Sequence, residues 1–389
     1  MTAASPKVVS LFCGIGGLDL GFLREGFDVV WANDILPNAA AGYAKNLGHP
    51  VVVADLNDVP LASIPAADVV IGGPPCQPFS LMGLRRKDDP RGSLVFRFAD
   101  VVLSIMPRVF VMENVPGMEA SKIDGHRLPE VLATEFEAAG YTVTKMRLRA
   151  SDYMVPQLRR RLFLIGHLGG AAIPLPSPDA YAMLRLSVSE EERVVSATAA
   201  LGDLGPCTSK GERAAYASQP TTWLAKYYRR KDLADVSLHE CPRMSRTDQK
   251  LVSYIPPGGN FRDVPVEAAT GRILKYRETG GRSTTYGRLH PDRPSHTVNT
   301  YFRRPNVGTN FHYAEDRLIT AREAMRLQSF PDDFELVFTA QQERNTQIGN
   351  AVPPLLAQAV AWSVRSALDA APQRRTRAPV QQPLPWQRP

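Results

Sequence analysis

Short apolar runs alternate with amphipathic stretches along the first third of the chain. Lys7–Phe12, Phe27–Ala32, Val51–Ala54, Asp68–Ile71, Val109–Met112 and Arg161–Gly166 are rich in Val, Ile or Phe, and Gly, Pro or Asp commonly flank them. Runs of this length predict strands that are apolar on both faces. Leu18–Glu25, Pro37–Asn46, Leu94–Met106 and Pro129–Ala139 read as helices between them. Strand and helix in alternation predict an α/β fold with a doubly wound, mostly parallel sheet. Tyr141–Arg149 is expected as one more strand, antiparallel at the edge.

The texture changes after Leu168. Gly169–Asp179 is rich in Gly, Ala and Pro and reads as a linker. The next hundred or so residues lack a regular period and hold clusters such as Tyr227–Lys231 and Pro256-Pro257-Gly258-Gly259. Regularity returns near Thr297, with helices expected over Thr320–Leu327 and Pro353–Leu368. The last of these is apolar enough to pack back on the first domain. Four segments follow: a catalytic and cofactor domain over 1–168, a smaller loop-rich domain over 169–290, a return to the first domain over 291–369, and a disordered basic tail over 370–389.

Composition adds less than charge placement. The chain has 389 residues, is 44% hydrophobic and 22% charged, and carries a formal net charge of +7. No apolar run is long enough to span a bilayer, and Met1–Pro6 lacks the regions of a secretory signal, so a cytoplasmic protein is expected. The segment 169–290 holds 17 Lys and Arg against 13 Asp and Glu, and the last twenty residues hold four Arg and no acid. The remainder is close to neutral. A basic segment on a neutral body suits either a polyanionic partner or plain solubility. The four cysteines, at 13, 76, 207 and 241, form no Cys-x-x-Cys pair, so neither a disulfide framework nor a metal site is expected.

Phe12-Cys13-Gly14-Ile15-Gly16-Gly17 joins the first strand to the first helix. Glycines there let the backbone turn tightly and let a ligand lie against main-chain N–H groups. Asp19 stands where a dinucleotide fingerprint would have its third glycine. Asp34 ends the second strand, where an acid can bind ribose hydroxyls, and Asp55 ends the third, where it can accept from an adenine amino group. Either acid alone also suits a helix cap. Together, and without phosphate-binding features, they favour a nucleoside lacking a pyrophosphate, so S-adenosylmethionine fits better than NAD.

Gly72-Gly73-Pro74-Pro75-Cys76-Gln77-Pro78-Phe79-Ser80 follows the fourth strand. Prolines restrict this loop, and its single thiol is held at the strand edge beside the expected cofactor. Cys13 reads as packing only. The chain resembles the DNA (cytosine-5)-methyltransferase family at this loop. Four more blocks agree in order: Phe12–Gly17, Glu113-Asn114-Val115, Gln157–Arg161, and Gln347-Ile348-Gly349-Asn350-Ala351-Val352-Pro353. Two positions depart from the family's usual pattern. Asp34 stands where Glu is commoner, and Ser10 stands where Asp often precedes Leu-Phe.

The resemblance implies a Rossmann-like S-adenosylmethionine-dependent methyltransferase domain with a smaller, loop-rich target-recognition domain over 169–290. It implies Cys76 as nucleophile and Glu113, Arg159 and Arg161 as the other catalytic residues. The expected cofactor site comprises Phe12, Gly14, Gly16, Gly17, Asp34, Ile35, Asp55, Leu56, Pro75, Asn350 and Val352. Expected DNA contacts are Gln77, Ser80, Gln157, Arg229 and Arg230, although Tyr227–Lys231 would equally suit a solvated helix face. Alternation predicts that Gln157, Arg159 and Arg161 share one face of a strand. The expected partner is double-stranded DNA, in the nucleoid, with the protein a monomer. The resemblance also allows a restriction endonuclease that acts on the same site without a stable complex. Two rival readings are an RNA cytosine-5 methylase, whose usual members carry a second cysteine in place of Glu113, and a non-catalytic DNA-binding protein. The second is disfavoured because Cys76 and Glu113 are both present.

Overall fold

A computed structural model describes residues 4–75, 90–123, 125–175, 177–229 and 233–370. Cys76, Gln77, Ser80, Arg230 and the tail expected to be disordered lie outside the described residues. The described residues divide into two compact units, one within Met1–Arg149, Arg160–Pro176 and Ala357–Pro389, the other Ala150–Arg159 and Ser177–Leu356.

The first unit is built on a seven-stranded sheet. Its strands are β1 (Lys7–Leu11), β2 (Asp28–Asp34), β3 (Val52–Val53), β4 (Val69–Gly72), β5 (Val109–Asn114), β8 (Tyr141–Arg149) and β9 (Arg160–Leu168), in spatial order β3-β2-β1-β4-β5-β9-β8. The two-residue strands β6 (Lys122–Ile123) and β7 (His126–Arg127) form a separate hairpin. Strands β1 to β5 pair in parallel, as the apolar runs predict. The edge position expected for Tyr141–Arg149 holds. However, the strand that runs against the rest is its neighbour β9, antiparallel to both β5 and β8. β3 also differs from expectation, being a two-residue edge strand with both valines exposed.

Helices α1 (Gly17–Arg24), α2 (Pro37–Leu47), α3 (Pro90–Ile105) and α4 (Leu128–Ala138) fall where their periodicity placed them, with α3 starting one turn earlier. Val70, Phe98, Phe110, Met112, Phe136 and Tyr141 are buried in one core, where the Phe110 and Phe136 ring centroids are 4.1 Å apart. Glycine is needed where elements approach closely. A Cβ on Gly166 would lie 2.0 Å from the Phe110 ring. One on Gly21 of α1 would lie 2.5 Å from both Ala357 Cβ and the Gln358 backbone nitrogen. The helix Pro354–Ala370 therefore packs on α1 from the far end of the chain. Gln358 Nε2 donating to Glu25 Oε1 at 2.8 Å and Arg108 Nη2 donating to Leu368 O at 2.9 Å add to this seam. Among the described residues, no helix is long and apolar enough to cross a membrane.

The second unit is loop-rich. Leu251, Val252, Phe261, Ile273, Phe311 and Leu318 form a small core of their own. Cys207 and Cys241 are joined by a disulfide, which corrects the expectation of none. The pairing is set locally: Thr208 N donates to His239 O and Cys241 N donates to Thr208 O, so the two segments run side by side. Charge is buried here on a large scale. Arg326 is fully buried, donates to Asp332 Oδ2 at 2.6 Å and also pairs with Asp203. Arg317 binds Glu323 at 2.8 Å, and Arg322 donates to the carbonyls of Ser237, Pro331 and Phe334.

This packing generates three predictions. In Gly21→Ala the gain in helix propensity, up to about 1 kcal/mol, is outweighed because the atoms opposite are backbone and cannot yield. A net loss of about 1–3 kcal/mol is expected from overpacking, read as a lower urea midpoint. Arg326→Met strands two buried carboxylates and should cost about 3–5 kcal/mol. Two buried carboxylates, Glu323 and Asp332, set an acid limit. Arg317 pulls Glu323 down to about 2, against the larger opposing effect of its burial. Asp332 is likewise lowered by Arg326 against burial. Groups depressed on folding lend stability that is complete above the unfolded carboxylate range, near pH 4, and lost as the pH falls toward 2. Trp223 fluorescence should report that loss across this window.

Candidate active site

The carboxyl ends of the first unit's parallel strands hold several of the residues that the motifs single out. The turn after β1 is tight: Phe12, Gly14 and Gly16 all have positive φ, at 54°, 53° and 87°. Phe12 is thus held in a region that a bulky side chain rarely adopts. A Cβ on Gly16 would meet Leu47 at 2.5 Å and Tyr43 at 2.8 Å, whereas one on Gly14 would meet nothing within 4 Å. Gly16 therefore serves the approach of α2, while Gly14 faces open space. Gly17 opens α1. Cys13 is buried, and burial pushes its thiol well up, in keeping with a packing role. Asp19 is buried beneath the turn, accepts from the Tyr43 hydroxyl at 2.9 Å, and is pushed up to about 6 by burial. It ties α1 to α2.

Asp34 accepts from Gly14 N at 2.8 Å and from Leu36 N at 2.9 Å, so it links the end of β2 to the glycine turn. Burial raises its carboxyl. The next residue, Ile35, is 58% exposed, a large apolar side chain left in solvent beside a carboxylate. Asp55 caps the short helix Leu56–Asp58 by accepting from Asn57 N at 2.9 Å, and Leu56 is buried beneath it. An open glycine, an exposed isoleucine and two strand-end carboxylates suit an adenosine, which presents flat apolar faces and hydrogen-bonding hydroxyls.

The second cluster lies at the end of β5. Glu113 and Arg161 are both over 90% buried, with Arg161 Nε 2.6 Å from Glu113 Oε1. Burial raises the Glu113 carboxyl, and Arg161 draws it only part of the way back. Asn114 Nδ2 donates to Pro74 O at 3.0 Å and its Oδ1 accepts from Val115 N, so the strand end grips the loop two residues before Cys76. Gly73 is required here, since a Cβ would sit 2.9 Å from Glu113 Oε2. Pro75 is half-buried at the last described position of that loop.

Gln157 and Arg159 behave differently from Arg161. β9 starts only at Arg160, so the expected alternation along one strand face does not extend to them. Both lie in the second unit and are fully buried. Arg159 donates to Gln157 Oε1 at 2.8 Å, Val298 O at 2.6 Å and Gly349 O at 2.8 Å. Gln157 Nε2 donates to Leu327 O at 3.2 Å, which occupies the other end of the amide. Within the second unit the pair thus ties Gln157 and Arg159 to the segments around Val298, Leu327 and Gly349. Gly349 also allows the close passage of Thr300, whose nitrogen would be 2.4 Å from a Cβ. Asn350 ends the helix Gln341–Asn350 with its side chain exposed, and Val352 is buried beyond it.

The described part of the aromatic–basic cluster, Tyr227 to Arg229, is largely inward-facing. Tyr228 is fully buried and donates to Arg326 O at 2.6 Å, and Tyr227 donates to Ser329 O at 3.0 Å. Arg229 donates to Ser218 O at 2.7 Å, lies 3.5 Å from Asp203 and stacks 3.8 Å over the Tyr216 ring. Its guanidinium is engaged within the protein on three sides, because the short helix Trp223–Tyr228 packs by its aromatic face. One feature had no signal in the sequence pattern: a cavity of about 580 Å³ whose lining includes Tyr276, Arg282, Thr285, His296, Asn299 and Asn306.

Solved structures share this fold. A prophage-encoded E. coli protein described as a DNA modification methyltransferase aligns with a TM-score of 0.69 and 24% identity, over 94% of this chain and all of that one. Dnmt2 methyltransferase of S. pombe aligns with a TM-score of 0.57 and 18% identity, over 94% and 98% of the two chains. The central sheet and its helices have a Rossmann-like methyltransferase fold. Residues 6–366 match the C-5 cytosine-specific DNA methylase family, and the chain belongs to it. It is 33% identical to the Type II methyltransferase M.NgoFVII of Neisseria gonorrhoeae, over 90% of this chain and 83% of that protein. It is 35% identical to M1.HphI of Haemophilus parahaemolyticus, over 92% and 86%.

Proposed function

We propose that this protein methylates C5 of a flipped-out cytosine in duplex DNA through a covalent bond between Cys76 and C6. The observation that carries the reading is the buried Glu113–Arg161 pair, with Asn114 gripping the loop that leads to Cys76. Phe12, Gly14, Asp34, Ile35, Asp55 and Leu56 would hold S-adenosylmethionine, with Gly16 and Gly17 shaping the turn and Pro75 completing the site. When bound, it supplies an electrophilic methyl group to C5.

The chain's own residues solve a different problem, because C5 of cytosine is a poor nucleophile. The Cys76 thiolate adds to C6 and turns the ring into an enamine with electron density at C5. Glu113, whose carboxyl is raised by burial, holds a proton at N3 and accepts from the exocyclic amino group. Arg161 orients that carboxyl and reaches the O2 side of the base. Loss of the C5 proton and elimination of Cys76 then restore the aromatic ring and the free thiolate. Arg159 is assigned a positioning role, through the carbonyls of Val298 and Gly349. The base must leave the stack, at a cost of a few kcal/mol, with Gln77 filling the gap and Ser80 holding a flanking phosphate.

The 169–290 segment would read the DNA word, and the polar cavity around Arg282 extends that reading surface to Asn299 and Asn306. Arginine and asparagine are the side chains that pair bidentately with guanine and adenine edges. Exchanging residues 169–308 with those of a related enzyme should transfer the word, as read by bisulfite sequencing. An active hybrid that keeps the original word would refute the assignment.

Cys76→Ser should abolish methyl transfer while leaving cofactor binding nearly unchanged, since none of the cofactor residues depends on the thiol. Glu113→Gln should lower kcat by about 10²–10⁴-fold, the usual range for lost acid–base help. A duplex carrying 5-fluorocytosine at the target should trap the enzyme as a band resistant to denaturant, and only when Cys76 is present. Methyl incorporation into transfer RNA instead of duplex DNA would favour the RNA reading.

A further inference from the structure

Outside the central segment and the tail, the charges of this chain nearly cancel in the sequence. The fold nevertheless gathers cations along one edge of the first unit. β8 is the terminal strand of the sheet, and Lys145, Arg147 and Arg149 are exposed at alternate positions, hence on one face. The β8–β9 register sets Arg149 directly opposite Arg160, and the β6–β7 hairpin sets Lys122 directly opposite Arg127. Arg147 Nε, 2.6 Å from Glu119 Oε2, joins the strand to the turn before the hairpin. A concavity of about 400 Å³ there is lined by Pro116, Glu119, Ala120, Lys122 and Arg127.

Six cations thus share a strip in which Glu119, paired with Arg147, also lines the concavity. Lys122, Arg127, Lys145, Arg149 and Arg160 form no ion pair among the described residues. Like charges directly opposite each other destabilise a sheet. Two such pairs in one strip, with no ion pair to either among the described residues, point to a polyanion that relieves them from outside.

We infer that this strip binds the phosphate backbone of the DNA flanking the target base, an inference that rests on the proposed DNA-methyltransferase function. Its location supports this. Asn114 pairs with Leu162, so Arg149 and Arg160 stand at the same end of the sheet as Glu113. From there the strip runs back along β8. At a rise of about 3.4 Å per residue, Arg149 to Lys145 spans about 14 Å. That matches about four nucleotides along one strand of a duplex. The competing explanation is that edge-strand charges only prevent sheet-to-sheet association.

The test is a Lys122→Ala/Arg127→Ala/Lys145→Ala variant of the full chain, compared with wild type on two duplexes carrying the target. One duplex stops close to the recognised word and the other extends well beyond it on both sides. Wild type should bind the extended duplex more tightly and with a steeper dependence on salt. The variant should lose that difference, its slope falling by about 0.9 for each phosphate contact removed. On the short duplex its kcat should equal that of wild type. Identical salt slopes for wild type and variant on the extended duplex would overturn the inference. Self-association of the variant in sedimentation, with slopes unchanged, would also overturn it and assign the charges to edge protection. A wild-type protein that shows the slope difference yet methylates neither duplex would leave the strip standing and remove the methyltransferase reading instead.

Discussion

The site depends on one buried ion pair, Glu113 with Arg161, and that pair depends on the direction of a single strand. Arg161 is the second residue of β9, and Glu113 lies one residue from the end of β5. The two meet because β9 runs against β5, which brings its start to the carboxyl end of the parallel strands. A parallel β9 would bring His167 or Leu168 there instead. Taking two charges out of water costs several kcal/mol each, and their close contact offsets this only in good geometry. The sheet supplies that geometry from backbone pairing alone, before any substrate arrives. The residue following Glu113 then steadies the cysteine loop through Pro74. A single strand end therefore carries both a polarised carboxyl group and the anchor of the loop that leads to Cys76.

How far the pattern of residues foretells this structure varies with the kind of force involved. β1 to β5 and their helices are legible because buried parallel strands and amphipathic helices have distinct apolar periods. The glycine turn is legible because only glycine suits the backbone at Gly16 and the space beside it. The reversal of β9 is not, since an apolar run looks the same in either direction. Gln157 and Arg159 mislead for a related reason: polar alternation suggests an exposed strand face, yet both are buried braces outside any strand. Tyr227–Arg229 is not decided by its pattern, because aromatic and basic side chains suit a nucleic-acid surface and an inward-facing helix equally well. The Cys207–Cys241 disulfide spans 34 residues, and only the pairing of the flanking backbone brings it together. Contacts made by distant segments leave no local period to read.

The two units are stabilised in different ways. The first unit uses aromatic and aliphatic packing beneath a continuous sheet. The second has a small core of its own and relies on buried arginines such as Arg322 and Arg326, which carbonyls and carboxylates from several segments satisfy. An arginine has five donors in a fixed fork, so one side chain can hold several loops without regular secondary structure. Such a scaffold leaves the loops between its anchor points open to change in sequence.

The seam between Gly21 and Ala357 has a consequence for the nascent chain. The face of α1 that the last helix covers is made within the first 24 residues, but its cover lies more than 330 residues further on. At about 5–20 residues per second, a ribosome leaves that apolar face unpaired for tens of seconds while the whole second unit is synthesised. During synthesis the first unit is therefore an unfinished body, open to chaperones or to premature association. Moving the last helix to the front of the chain, as a circular permutant, would shorten that exposure without altering a contact in the finished protein.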